Sequence, residues 1–186
     1  YLQQGTAKLL SFGVDGIDDN PEKQMVLNLF EQGVKSYIRS DFQSAIDFFK
    51  RALSRAEANA YLGAYLQKSG QMQEQQLSEF FQEGVRYFQS GDLAAAQKEF
   101  NKVIRLSPGH PEAMQQLSAV RQAIQEAGEK LYNEGKQYFD ANHMDQAIRL
   151  WSQILEMDPS NERAQKRVEE AKIKKNTLSG IFSKIS

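Results

Sequence analysis

The stretch Glu79-Phe-Phe-Gln-Glu-Gly-Val-Arg-Tyr-Phe-Gln-Ser-Gly-Asp-Leu-Ala-Ala-Ala-Gln-Lys-Glu-Phe100, continuing to Val103, Ile104 and Pro108, holds two helical faces that meet at Gly91. In its first half, counting from Leu77, apolar or small residues fall at Leu77, Phe80, Phe81, Gly84, Tyr87 and Phe88. The spacing i, i+3, i+4, i+7, i+10, i+11 lines one side of a helix. The second half does the same at Leu93, Ala96, Phe100, Val103 and Ile104. Gly91 stands where a helix end favours a left-handed residue, and the Asp92 carboxylate follows as a cap for the second helix. The expected unit is a pair of antiparallel helices with Gly84 and Ala96 on the facing stripes. A glycine inside a helix costs about 1 kcal/mol relative to alanine, and close approach of the partner helix is the packing reason that offsets it.

The pattern recurs in register. Upstream it runs through Leu29, Phe30, Gly33, Tyr37, Phe42, Ala45, Phe49, Ala52 and Leu53. Downstream it runs through Leu131, Tyr132, Gly135, Tyr138, Phe139, Met144, Ala147, Trp151, Ile154 and Leu155. Gly33, Gly84 and Gly135 are each 51 residues apart. Self-similarity at a fixed spacing of this length indicates repeated supersecondary units.

These residues resemble the tetratricopeptide repeat family. The second copy matches its motif at Phe80, Gly84, Tyr87, Gly91, Ala96, Phe100 and Pro108. The third matches at Leu131, Gly135, Tyr138, Ala147, Trp151 and Pro159, with Asn142 in place of the turn glycine. The first matches at Gly33, Ala45, Phe49 and Ala52, and departs at Ser36, Ser40 and Glu57; the family's leucine before the glycine is Gln32, Glu83 and Glu134 here. The resemblance covers roughly residues 21 to 175. It implies an all-α, right-handed superhelical solenoid of helical hairpins and a non-catalytic protein-interaction role.

The spacing departs from the family's period of about 34 residues. The surplus points to long first helices and short second helices. A helix over Pro111–Asn142 would be about 48 Å long; its early part would cover the preceding hairpin and its late part would begin the next. In the first spacer, Tyr61, Leu62, Tyr65 and Leu66 share a face, and Ser69-Gly70 is expected to break or kink the helix. The organisation read from these features is an N-terminal loop or helix end over residues 1–20, three repeats at about 21–71, 72–122 and 123–175, and a C-terminal tail or cap over 176–186.

A 40% hydrophobic fraction supports a buried core, and a net charge of −1 argues against a polyanion-binding chain. The absence of cysteine excludes disulfides and thiol chemistry. No run of apolar residues is long enough to span a membrane, and the expectation is a soluble chain, cytoplasmic or periplasmic. The first residue is Tyr1 rather than Met, as in a fragment or processed chain. Gly13 to Asn20 reads as a loop; its three aspartates lack the ligand spacing of an EF-hand. Asn20-Pro21-Glu22 is a helix start. Near the end, Leu178, Ile181, Phe182 and Ile185 form a helical stripe. It is read as a cap folding back on the array, as a disordered tail, or as an amphipathic anchor for a partner or membrane surface, aided by Lys172, Lys174 and Lys175.

No phosphate loop, nucleophile elbow or metal-binding helix motif occurs. The two histidines, His110 and His143, lie in turns without further ligands at helical spacing, so no catalytic residue, metal or cofactor is expected. The residues from Asn161 to Ser186 carry a local charge of about +4 but no interleaved aromatics, and nucleic-acid binding is not the expected role. The informative feature is an aromatic pair seven residues apart on each first helix: Phe30 with Tyr37, Phe81 with Phe88, Tyr132 with Phe139. In the resembled family these positions lie on or beside the partner-binding surface, with Val34, Val85 and Lys136, and with Ile38, Gln89 and Asp140. They either widen the core stripe or form a groove for a peptide or amphipathic helix. The apolar Phe30, Val34 and Ile38 stand where chaperone-binding repeats carry Lys and Asn, which argues against a carboxylate clamp. Self-association through residues 1–20 or the Leu178–Ile185 stripe is the alternative role.

Overall fold

The structure, a computed structural model, describes residues 21–56 and 59–185, with side chains as far as Leu178. Among the described residues seven helices follow one another: α1 Pro21–Ile38, α2 Phe42–Leu53, α3 Ala60–Ser90, α4 Leu93–Leu106, α5 Pro111–Asp140, α6 Met144–Met157 and α7 Glu162–Ile185. No strand occurs among the described residues, and the fold is an all-α helical repeat. The Gly13–Asn20 stretch weighed for calcium lies outside the described residues. The chain divides into two compact units, Tyr1–Glu79 and Phe80–Ser186, and the division falls within α3.

In the first unit α1 and α2 form a hairpin. A Cβ on Gly33 would lie 2.5 Å from the Phe49 ring, so the missing side chain is what admits Phe49. At the end of α1, Ser40 N–H bonds to Tyr37 O at 3.0 Å and Asp41 N–H to Ser36 O at 3.0 Å. That is a Schellman closure, with Ser40 left-handed at φ 60°. Asp41 then caps α2, accepting from Ser44 N–H at 3.2 Å. Leu62, fully buried, and the half-buried Tyr61, Tyr65 and Leu66 of α3 close the cluster around Phe30 and Phe49.

The second unit carries the same construction twice. A Cβ on Gly84 would lie 2.7 Å from Phe100, and one on Gly135 would lie 2.5 Å from Trp151. The turn residues in register with Ser40 are Gly91, at φ 82°, and Asn142, at φ 60°. Both repeat the Schellman bonds, Asp92 N–H to Tyr87 O at 3.0 Å and His143 N–H to Tyr138 O at 2.8 Å. The residues that cover each hairpin also stand 51 apart: Leu62, Ala113 and Ala164; Leu66, Leu117 and Val168; Ser69, Val120 and Ala171. Leu66 is half-buried and the other eight are buried. The caps that start these covering helices are equally spaced. Asn59 accepts from Leu62 N–H at 3.0 Å, His110 Nδ1 from Ala113 N–H at 3.3 Å and Asn161 from Ala164 N–H at 3.0 Å.

Two sequence expectations change. Ser69-Gly70 does not interrupt α3, which is one helix of 31 residues. The Ser69 hydroxyl donates to Tyr65 O one turn back at 2.7 Å, so this buried polar group is satisfied inside the helix. Gly70 then costs only its propensity. The last segment is no separate tail, because α7 is continuous from Glu162 to Ile185. Its first half does the capping, burying Ala164, Val168 and Ala171 against Trp151 and Ile154. The side chains of Ile181, Phe182 and Ile185 lie outside the described residues. The expected repeat boundaries at 71/72 and 122/123 both fall inside long helices, so neighbouring copies share a helix instead of being separated by a loop.

Candidate protein interface

The aromatic pairs meet different surroundings in each copy, and the following helix decides which. In the first unit Phe30 is fully buried and Val34 nearly so. Tyr61 and Tyr65 lie on Phe30, with ring centroids at 5.8 and 5.3 Å, and Phe49 is at 6.0 Å. Phe30 and Val34 are thus core residues and present nothing to a partner. Tyr37 stands edge-on to Phe42 at 5.5 Å, and only Ile38 is open, 64% exposed. Burial, together with the hydrogen bond and charge shared with Tyr65, pushes the Tyr61 phenol up to about 12.

In register with Tyr61 and Tyr65 stand Arg163 and Arg167 of α7. The Arg163 guanidinium lies 3.5 Å from the centre of the Tyr132 ring, and Arg167 Nε donates to the Tyr132 hydroxyl at 2.9 Å. Tyr132 is buried beneath them and beside Trp151, whose Nε1–H donates to Tyr132 O at 3.2 Å. Burial, the largest single influence, raises the Tyr132 phenol; hydrogen bonds and charge from Arg167 and Arg163 outweigh it and hold the group below the ordinary phenol value. Phe139 packs on Trp151 at 5.7 Å and is covered by Lys174, 4.4 Å above its ring. Lys136 is exposed. Tyr132 and Phe139 thus meet the chain's own cations.

At the second copy the register positions are Glu112 and Gln116, which bring neither a ring nor a cation. Phe81 is edge-on to Phe100 at 5.7 Å and stacked on His110 at 5.5 Å, yet half-buried. Val85 and Phe88 follow at i+4 and i+7 on the same helix, both half-buried against the Phe100 cluster. Phe81, Val85 and Phe88 therefore form an apolar strip with one side packed and one side open. Among the described residues no group of carboxylates and histidines is arranged to hold a metal ion, and no helix is long and apolar enough to cross a membrane.

Residues 81–110 match the tetratricopeptide repeat family. The matched segment begins at Phe81 and ends at His110, the two stacked residues, and contains the Gly84–Phe100 contact and the Gly91 turn. A search of the curated proteins returned no match. The covering cations Arg163, Arg167 and Lys174 escape a reading of local spacing, since their partners lie about 35 residues away. The signal for Arg163 and Arg167 is the register with Tyr61 and Tyr65, which becomes meaningful once Phe30 is seen to be capped by those two rings.

Proposed function

We propose that the chain is a non-catalytic interaction module whose second hairpin receives an apolar peptide or amphipathic helix on Phe81, Val85 and Phe88. One observation carries this reading. The following helix sets two tyrosines on Phe30 and two arginines on Tyr132, but an acid and an amide in register with them at Phe81. The match to a family of interaction repeats over this same hairpin supports it. Half-buried aromatics held by a rigid scaffold are the usual anchors of helix-in-groove recognition. The self-association alternative rests on residues 1–20 and the apolar residues after Leu178, which lie outside the described side chains.

The test is affinity capture with the immobilised full chain, compared with Val85→Gln/Phe88→Gln and with Met25→Gln, an exposed apolar residue, as a surface control. The double variant is expected to lose captured proteins that the wild type and the control retain, with its melting transition preserved. An unchanged set of captured proteins would remove this strip from the interface.

A further inference from the structure

Past the third hairpin α7 carries an apolar stripe that fits no repeat. Lys174 Nζ donates to Phe139 O at 3.3 Å, and Lys175 Nζ to the Asp145 carboxylate. Phe139 is the next-to-last residue of α5 and Asp145 the second of α6, so α7 draws level with the α5–α6 turn at these two lysines. Residues 176–185 continue the same helix, about 15 Å further at 1.5 Å per residue. Leu178, Ile181, Phe182 and Ile185 are spaced i, i+3, i+4, i+7 along it, which places them on one side. The residues between them are Ser179, Gly180, Ser183 and Lys184.

The repeat register separates this stripe from a hairpin helix. Ile181 stands where the three copies carry Asn28, Glu79 and Lys130, all exposed. Ile185 stands where they carry Gln32, Glu83 and Glu134, exposed or half-buried. Ser183 in turn takes the position of the rings Phe30, Phe81 and Tyr132. Only Phe182 keeps an apolar register position, that of Leu29, Phe80 and Leu131. The apolar face is thus turned away from the side by which a first helix packs on its second helix, and neither a further hairpin nor a second copy stacked as one matches it.

Charge changes along the same helix. The first half of α7 mixes Arg163, Lys166 and Arg167 with Glu162, Glu169 and Glu170, whereas residues 171–186 hold four lysines and no acid. Lys172 is held by Glu169 and Lys175 by Asp145, both in exposed pairs of the kind worth little in water. No carboxylate is left in this stretch for Lys174 or Lys184. A short helix with a Leu, Ile and Phe face, small uncharged residues opposite and an excess of lysine lies in the headgroup layer of a bilayer, and an anionic leaflet attracts each lysine near it. We infer that residues 176–185 are an interfacial anchor, which lays Leu178, Ile181, Phe182 and Ile185 on an anionic lipid surface. The anchor is independent of the Phe81–Phe88 strip, and either can fail without the other.

The test is flotation of the full chain with vesicles of phosphatidylcholine and phosphatidylserine in equal parts, and with vesicles of phosphatidylcholine alone. The wild type is expected to float with the anionic vesicles, less with the neutral ones, and to be released by added salt. Ile181→Glu/Ile185→Glu should lower partitioning roughly tenfold or more, since two inserted side chains become charges. Ile173→Glu, at a residue 65% exposed and off the stripe, should float as the wild type does. Both variants are expected to keep the wild-type melting transition. A lowered transition in the double variant would overturn the proposal, because the stripe would then cap the fold. Equal flotation with neutral vesicles would overturn it too, as would undiminished flotation of the double variant. So would a dimer in sedimentation equilibrium that only the double variant loses, which would assign the stripe to a second copy.

Discussion

Three glycines and three large rings hold the hairpins together, and the chemistry of that contact makes opposite predictions for one substitution. At Gly33, Gly84 and Gly135 an added methyl would sit 2.5 to 2.7 Å from a ring carbon or nitrogen. Alanine gains about 1 kcal/mol in helix propensity, but overpacking a core costs typically about 1–3 kcal/mol. Each of the three changes to alanine should therefore destabilise, by roughly 1 kcal/mol net, in urea unfolding. At Gly63 and Gly70 a Cβ meets nothing within 4 Å, and alanine there should stabilise by about 0.5–1 kcal/mol. The tyrosines separate in the same way. Tyr61, raised to about 12, keeps its proton in the folded chain after the unfolded chain has lost it. Its contribution is present below the ordinary phenol value and is lost as pH rises through the folded value. Tyr132, held low by Arg167 and Arg163, has the opposite sign: its contribution is present above the ordinary phenol value and is lost as pH falls through the folded one. An ultraviolet titration of Tyr132→Phe should show that the missing phenol was the early one, and Tyr61→Phe that it was the late one.

At the level of the helices, each hairpin turn is one residue in the left-handed region followed by a cap, and the third turn carries the weakest cap. Asp41 and Asp92 bond the N–H groups of Ser44 and Ala95; His143, in register, makes no side-chain cap bond. Replacing Asp92 with alanine should cost about 1 kcal/mol, and His143→Asp should gain a similar amount, since an aspartate cap is worth roughly 0.5–2 kcal/mol; thermal melts of the two variants check both. These turns, the Gly–aromatic contacts and the buried helix faces were legible in the sequence because each is fixed by residues within about 16 positions and repeats at one spacing. No break occurs at Ser69-Gly70, because a serine can satisfy itself on the preceding turn, which local propensity does not register. The fate of the aromatic pairs was not legible from their own helix. Phe30, Phe81 and Tyr132 look alike in sequence, yet the register positions on the helix after next hold two tyrosines, an acid and an amide, or two arginines.

On the scale of the whole chain, every hairpin buries its ring only with help from the helix that follows it, the nearest-neighbour dependence of repeat proteins. Removing residues 162–186 should therefore expose the third cluster. Trp151, the one tryptophan of the chain and fully buried, should shift its emission to the red and the melting transition of the second unit should fall; an unchanged spectrum would show that α7 is not needed for that core. All three hairpins are built on one glycine–ring contact, which NMR can observe directly. Cross-relaxation should connect the α-protons of Gly33 with the Phe49 ring, of Gly84 with the Phe100 ring and of Gly135 with the Trp151 indole, all three glycines being displaced upfield by ring current. Three glycines with unlike shifts, or any one of them without a ring neighbour, would contradict it.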